Sequence, residues 1–177
     1  MAGKIFVFAL MSASALPLFA ESRQAEILNE DFESAAAKLK IGKNSRLSSE
    51  GREVISGKAS LVCAAPEGSY PTAFSFSTSD CNVLEVEFNY KNLGEVRSGP
   101  VVYFKDKDGR TLEVRRESVF AHAPGDVETS RCVFHGRSGE KCTVEVVIPQ
   151  GRAFAFDNIS VKGSSAPARA DLSLIHI

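Results

Sequence analysis

Apolar and polar residues alternate without a fault through Leu84-Glu85-Val86-Glu87-Phe88-Asn89-Tyr90-Lys91. A period of two is what a strand with one face in a core and the other in water requires. Val102 and Phe104 continue the apolar set, and the loop Asp106-Lys107-Asp108-Gly109 returns the chain into Leu112 and Val114, both expected in the core. From Arg46 onward short runs of this kind are separated by turn residues, and no segment carries a helix-length apolar stripe. The predicted strands are Glu26–Leu28, Arg46–Ser49, Glu53–Ile55, Ser60–Ala64, Ala73–Ser77, Val83–Lys91, Pro100–Lys105, Thr111–Arg116, Thr129–His135, Cys142–Pro149 and Arg152–Val161. Ser34–Leu39 has helix propensity over a turn or two, closed by Gly42. So many short strands predict an all-β fold, a jelly-roll β-sandwich.

The stretch Phe154-Ala155-Phe156-Asp157-Asn158-Ile159-Ser160-Val161 breaks the alternation. Phe154 and Phe156 share one parity while Ile159 and Val161 take the other, so a bulge is expected at Asp157-Asn158. The bulge leaves an acid at the rim of a core, where a carboxylate needs a cation or several donors. A partner segment lies near the other end of the chain, in Asn29-Glu30-Asp31-Phe32-Glu33.

Three motifs therefore fall in order: N-x-D-F-E at Asn29–Glu33, S-G-K-A-S-L at Ser56–Leu61 and F-D-N-I-S-V at Phe156–Val161. Together they resemble the bacterial jelly-roll carbohydrate-binding modules of the galactose-binding-like superfamily, over Glu26 to Val161. That resemblance implies a structural calcium ion held by the side chains of Glu33 and Asp157 with carbonyls of Asp31, Ser56 and Ala59, pinning the first strand to the last. Without metal, Asp157 would cap backbone amides at the bulge and Glu33 would be solvated.

The 177 residues, 44% of them hydrophobic, suit one domain with an ordinary core. Met1–Ala20 reads as a secretory signal peptide: Lys4, an apolar run from Ile5 to Leu10, and Leu18 and Ala20 before a charged residue. The run is too short, and broken by Ser12, Ser14 and Pro17, to anchor the chain in a bilayer. The expectation is a secreted, periplasmic or cell-surface protein, with residues 21–162 as the module. Near-balanced charge, 21 basic against 22 acidic residues without basic clusters, argues against a nucleic-acid partner. Residues 163–177 open with Gly163-Ser164-Ser165-Ala166-Pro167-Ala168, a flexible linker toward a possible downstream domain, and end in a tail of doubtful origin. Export would place Cys63, Cys81, Cys132 and Cys142 in an oxidising compartment. Structural disulfides or buried thiols fit better than zinc, whose paired spacing is absent. The favoured bridges are 63 with 81 and 132 with 142, across short loops.

The candidate ligand surface follows from parity. Tyr103, with Val101 and Lys105, alternates away from Val102 and Phe104, and so is expected on a wet face beside Glu87, Asn89, Glu113, Arg115, Arg131 and His135. Such modules stack sugar rings on Trp or Tyr; this chain has no Trp and three Tyr. Phe74, Phe76, Phe88, Phe134, Phe154 and Phe156 are expected in the core. Asp106, Asp108 and Gly109 fit a β-turn better than a calcium loop, which would need a further acid and a closing Glu. Glu85, Glu87 and Glu113 are the carboxylates a glycosidase would need, but solvated strands carry the same residues. His122 and His135 lack a nucleophile in a recognisable elbow, and His176 lies in the tail. The reading is a non-catalytic glycan-binding module, with a structural or adhesive β-sandwich as its rival and an enzyme in reserve.

Overall fold

The strands that alternation predicts pair into two antiparallel sheets. The computed structural model describes residues 25–34, 39–79, 82–94, 98–116, 125–136 and 140–164. The segment read as a signal peptide, residues 35–38 of the stretch with helix propensity, Cys81, His122 and the tail with His176 lie outside these residues. The elements are β1 (Ala25–Glu30), β2 (Lys40–Ile41), β3 (Ser45–Ser48), β4 (Ser60–Ala64), β5 (Thr72–Thr78), β6 (Val83–Asn92), β7 (Val101–Lys105), β8 (Thr111–Arg116), β9 (Val127–His135), β10 (Cys142–Val147) and β11 (Ala153–Ser164). One sheet runs β3-β4-β11-β6-β9, with β1 also paired to β11; the other runs β2-β5-β10-β7-β8. This is the all-β jelly-roll sandwich that the pattern predicts, with no helix among the described residues.

The core sits between the sheets and is largely aromatic. Phe74 of β5 meets Phe88 of β6 and Phe156 of β11 edge-on, with centroids 5.9 and 5.4 Å away. Phe104 of β7 stacks on Phe134 of β9 at 4.7 Å. All six expected core Phe residues are buried, each contributing roughly 1.5–3 kcal/mol by leaving water.

Strand limits and exposure differ from expectation at four places. Glu53–Ile55 is not a strand: the amides of Glu53 and Val54 both donate to the Glu50 carbonyl in a turn. Lys40–Ile41, too short to show a period, pairs with Ser75 and Phe74. β11 continues past Val161, so Gly163 and Ser164, expected in the linker, pair with Leu84 and Val83. Finally, Leu112 and Val114 are not core residues but 50% and 40% exposed.

The last change has a local cause. The β7–β8 register shifts between Phe104 and Lys105, so Val114 lies opposite Tyr103 while Glu113 and Arg115 lie opposite Phe104 and Val102. Paired residues share a face, and the extra residue therefore turns Leu112 and Val114 outward. Phe104 already stacks on β9, the edge of the other sheet. β8 is the edge strand one position further out, and its side chains are exposed or half-buried on both faces.

The favoured bridge between Cys132 and Cys142 is absent, because both are buried thiols, as is Cys63. Cys132 belongs to β9 in one sheet and Cys142 to β10 in the other. The two residues therefore sit in strands that do not pair, and the closure across a short loop between neighbouring strands does not apply. Burial pushes the Cys142 thiol up to about 11 and raises Cys63 as well, so neither is poised as a nucleophile at neutral pH.

Candidate functional site

Sheet membership divides the expected ligand surface in two. Glu85, Glu87, Asn89, Arg131 and His135 project from β6 and β9 on the outer face of the six-stranded sheet. Tyr103 and Lys105 project from β7 on the outer face of the five-stranded sheet, on the other side of the sandwich. Glu113 and Arg115 stand with neither group, since β8 turns them toward the inner side, where they form an ion pair. A patch centred on both Tyr103 and Arg115 therefore does not form.

On the five-stranded face, pairing builds a straight row. Lys40 lies opposite Ser75, Ser75 opposite Glu145, Glu145 opposite Tyr103, and Tyr103 opposite Val114. At about 4.8 Å per strand the row spans about 19 Å. Lys105 Nζ donates to Glu145 Oε2 at 2.6 Å and lies 5.8 Å from the Tyr103 ring centroid. Ser77 and Thr143 share a hydrogen bond of 2.9 Å in the adjoining row. The face thus offers a half-buried aromatic ring flanked by a carboxylate, an ammonium group and three hydroxyls. Glu145 is the residue the sequence reading did not single out. Its signal is the alternation in Thr143-Val144-Glu145-Val146, which turns it outward.

On the six-stranded face, Arg131 donates to Glu85 through Nε at 2.7 Å, and Thr129 to Asn89 at 3.0 Å. Glu85 is thus ion-paired, and Glu113 is held by Arg115 on the opposite sheet. The acids considered for hydrolysis do not converge on one cleft.

The expected bulge at Asp157-Asn158 is present, with the register shifting before Ser160 and Asn158 at a φ of 50°. Asp157 points outward by parity, yet it is fully buried because the loop after β3 folds over it. Its Oδ2 accepts from the amide and hydroxyl of Ser56 at 3.1 and 2.9 Å and from the Ser60 hydroxyl at 3.0 Å. Its Oδ1 accepts from the Asn158 amide at 2.8 Å. From the other side, Glu33 Oε1 accepts from the amides of Lys58 and Ala59 at 2.6 and 3.3 Å. Gly57, just before Lys58, has a φ of 60°, and a Cβ there would lie 2.2 Å from Glu33 Oε1. Asp31 in turn accepts from the Glu33 amide at 3.1 Å. Glu33 and Asp157 therefore converge on the Ser56–Ser60 turn and tie the beginning of the chain to its last strand. Calcium takes oxygen ligands; here protein N–H and O–H groups engage both carboxylates, and the described residues hold no cluster of three or more acidic, His or Cys side chains that could hold a metal ion.

The Asp106–Arg110 turn is a hairpin. Gly109 donates to the Asp106 carbonyl at 3.1 Å, and Asp106 Oδ1 accepts from the amides of Asp108 and Arg110.

No protein-family model and no curated protein matches the chain. Solved structures do. The CBM22-1 xylan-binding domain of Paenibacillus barcinonensis Xyn10C is 13% identical, with a TM-score of 0.60 over 83% of this chain and 99% of that one. The C-terminal family 22 carbohydrate-binding module of Clostridium thermocellum Xyn10B is 11% identical, with a TM-score of 0.58 over 79% and 94%. A family 35 carbohydrate-binding module from Clostridium thermocellum is 13% identical, with a TM-score of 0.52 over 76% and 95%. Identities this low speak to architecture. The chain has the jelly-roll fold of the family 22 and family 35 carbohydrate-binding modules.

Proposed function

We propose that the chain is a non-catalytic carbohydrate-binding module that takes a polysaccharide across the outer face of its five-stranded sheet. The observation that carries this reading is the row Lys40, Ser75, Glu145, Tyr103 and Val114, one residue from each strand. A Tyr ring presents an amphipathic face to the C–H surface of a sugar ring. The Lys105–Glu145 pair and the hydroxyls of Ser75, Ser77 and Thr143 supply donors and acceptors for sugar hydroxyls. Two solved neighbours are described as xylan-binding domains, and another combines a family 22 module with a xylanase catalytic module in complex with xylohexaose. They support a neutral xylan-type chain as the first ligand to try, and an accessory place in a larger protein. The separation of Glu113 from Glu85 and Glu87 supports a binding role over hydrolysis.

Calcium belongs to the same proposal as a structural ion. Glu33 and Asp157, with carbonyls of Asp31, Ser56 and Ala59, would hold it and strengthen the tie between chain start and last strand. A ligand bound only by the folded state raises stability with its concentration. Melting temperature should therefore fall with EDTA and recover with calcium, and Asp157→Ala should lose that response. An unmoved melting curve in both proteins would mean that hydrogen bonds alone make the tie.

The rival is an adhesive sandwich that meets protein. It is favoured by Leu112 and Val114, exposed on the edge strand β8. A glycan array followed by calorimetry separates the two. Wild-type protein should bind a xylan-type oligosaccharide and Tyr103→Ala should not; a wild-type domain that binds no glycan leaves the adhesive reading.

A further inference from the structure

We infer that a pocket of about 720 Å³ on the outer face of the six-stranded sheet is a second binding site, selective for a carboxylate-bearing sugar, a uronate. It lies on the opposite side of the sandwich from Tyr103, so it stands whether or not a neutral glycan binds there. Ligand pockets generally measure roughly 300–1,000 Å³, and this one has room for one or two sugar rings.

Its charge is out of keeping with the chain. Lys43, Arg46, Arg52 and Lys91 line it against one carboxylate, Glu53, although acidic residues slightly outnumber basic ones overall. Glu53 is already engaged: it is buried, accepts from Arg46 Nη2 at 3.0 and 2.8 Å through its two oxygens, and accepts from the Ser48 hydroxyl. The other three cations are weakly held. Lys91 Nζ has a long contact of 3.4 Å to the Val54 carbonyl. Arg52 faces Glu50 at 3.7 Å with its own side chain 84% exposed, a geometry worth little in water. Lys43 makes no hydrogen bond or ion pair among the described residues. Among the described residues, no carboxylate other than Glu53 lines the concavity on which these donors converge.

The floor supplies the other half of the recognition. Strand pairing sets Arg46, Val62, Ala155, Lys91 in one row, two cations separated by two small apolar side chains. Val62 is joined in the pocket by Ala64 and Ala153. Short side chains leave space for the C–H face of a ring, while Lys91 at one end of the row, with Lys43 and Arg52 of the lining, is left to meet its carboxylate. Guanidinium groups match a carboxylate fork-to-fork, and Glu53 fixes one of them at the pocket wall. A neutral sugar would leave these cations without a counter-charge, so selectivity should follow the acid.

The test is calorimetric titration of the full chain in low-salt buffer with trigalacturonate, its fully methyl-esterified counterpart and sodium sulfate. The acid should bind at least about tenfold more tightly than the ester, and raised salt should erode the difference. Lys43→Glu combined with Arg52→Glu changes exposed side chains, so the melting temperature should hold while the preference disappears. Tyr103→Ala should leave that preference intact. Equal binding of acid and ester, an undiminished preference in the charge-reversed variant, or sulfate binding as tightly as trigalacturonate would each overturn the assignment.

Discussion

The two outer faces of the sandwich are built by one rule and end in different chemistry. On each, strand pairing lines up one residue per strand into a straight row. On the five-stranded side the row carries an aromatic ring and charges already paired with each other, Lys105 with Glu145. On the six-stranded side the corresponding row holds small apolar residues between cations, and the loop after β3 folds over part of it. A self-neutralised face with a ring suits a neutral polymer. A face with spare positive charge around a hollow suits an acid. The fold supplies the rows; which residues fall opposite one another decides what each can recognise.

The comparison breaks most completely if the core beneath both faces fails. Phe104→Ala removes the ring stacked on Phe134 and should cost about 3–5 kcal/mol, enough to unfold a marginal domain and abolish binding at either face. Urea denaturation checks this. Asp157→Ala should be more selective. It strips the acceptor from Ser56, Ser60 and Asn158 at a cost of about 3 kcal/mol, visible as a lower melting temperature. Because those donors hold the loop that also carries Arg52 and Glu53, uronate binding should weaken while the Tyr103 row keeps its ligand.

Acid sharpens the same contrast. The Ser48 hydroxyl, and after it Arg46, hold the Glu53 carboxyl below its ordinary value of 4.5, outweighing the opposing effect of burial. A depressed folded value means stability that is present above the unfolded value and lost as pH falls through the folded one. Denaturation midpoints should therefore drop below about pH 4.5 less steeply in Glu53→Gln than in wild type. The gentlest change is Tyr103→Ala. Its ring stands outward, so stability should move by no more than about 0.5 kcal/mol while oligosaccharide binding on that face is lost.

Much of the fold was legible in the primary structure because burial on one side of a strand enforces a period of two. The β6 alternation, the six core Phe residues and the bulge at Asp157-Asn158 all follow from parity. Parity does not say which sheet a strand joins. Tyr103 and Glu87 were both read correctly as outward, yet they face opposite sides of the molecule, and Cys132 and Cys142 both point inward from different sheets. A single bulged residue in the β7–β8 hairpin was likewise invisible, and it alone exchanges the faces of Leu112, Glu113, Val114 and Arg115. Glu145 was missed because its importance comes from lying opposite Tyr103, a long-range pairing that no local pattern announces. The convergence of Glu33 and Asp157 on the Ser56–Ser60 turn was reachable through motif order, since all three segments belong to the resemblance.

The most direct test of a glycan row on the five-stranded face is amide chemical-shift mapping of isotopically labelled protein titrated with xylohexaose. The account predicts shifts that follow the row, at Ser75, Tyr103, Val114 and Glu145 with neighbouring Lys105 and Thr143, while Arg46, Val62 and Lys91 stay still. Shifts confined to the six-stranded face, or none at saturating ligand, would contradict it.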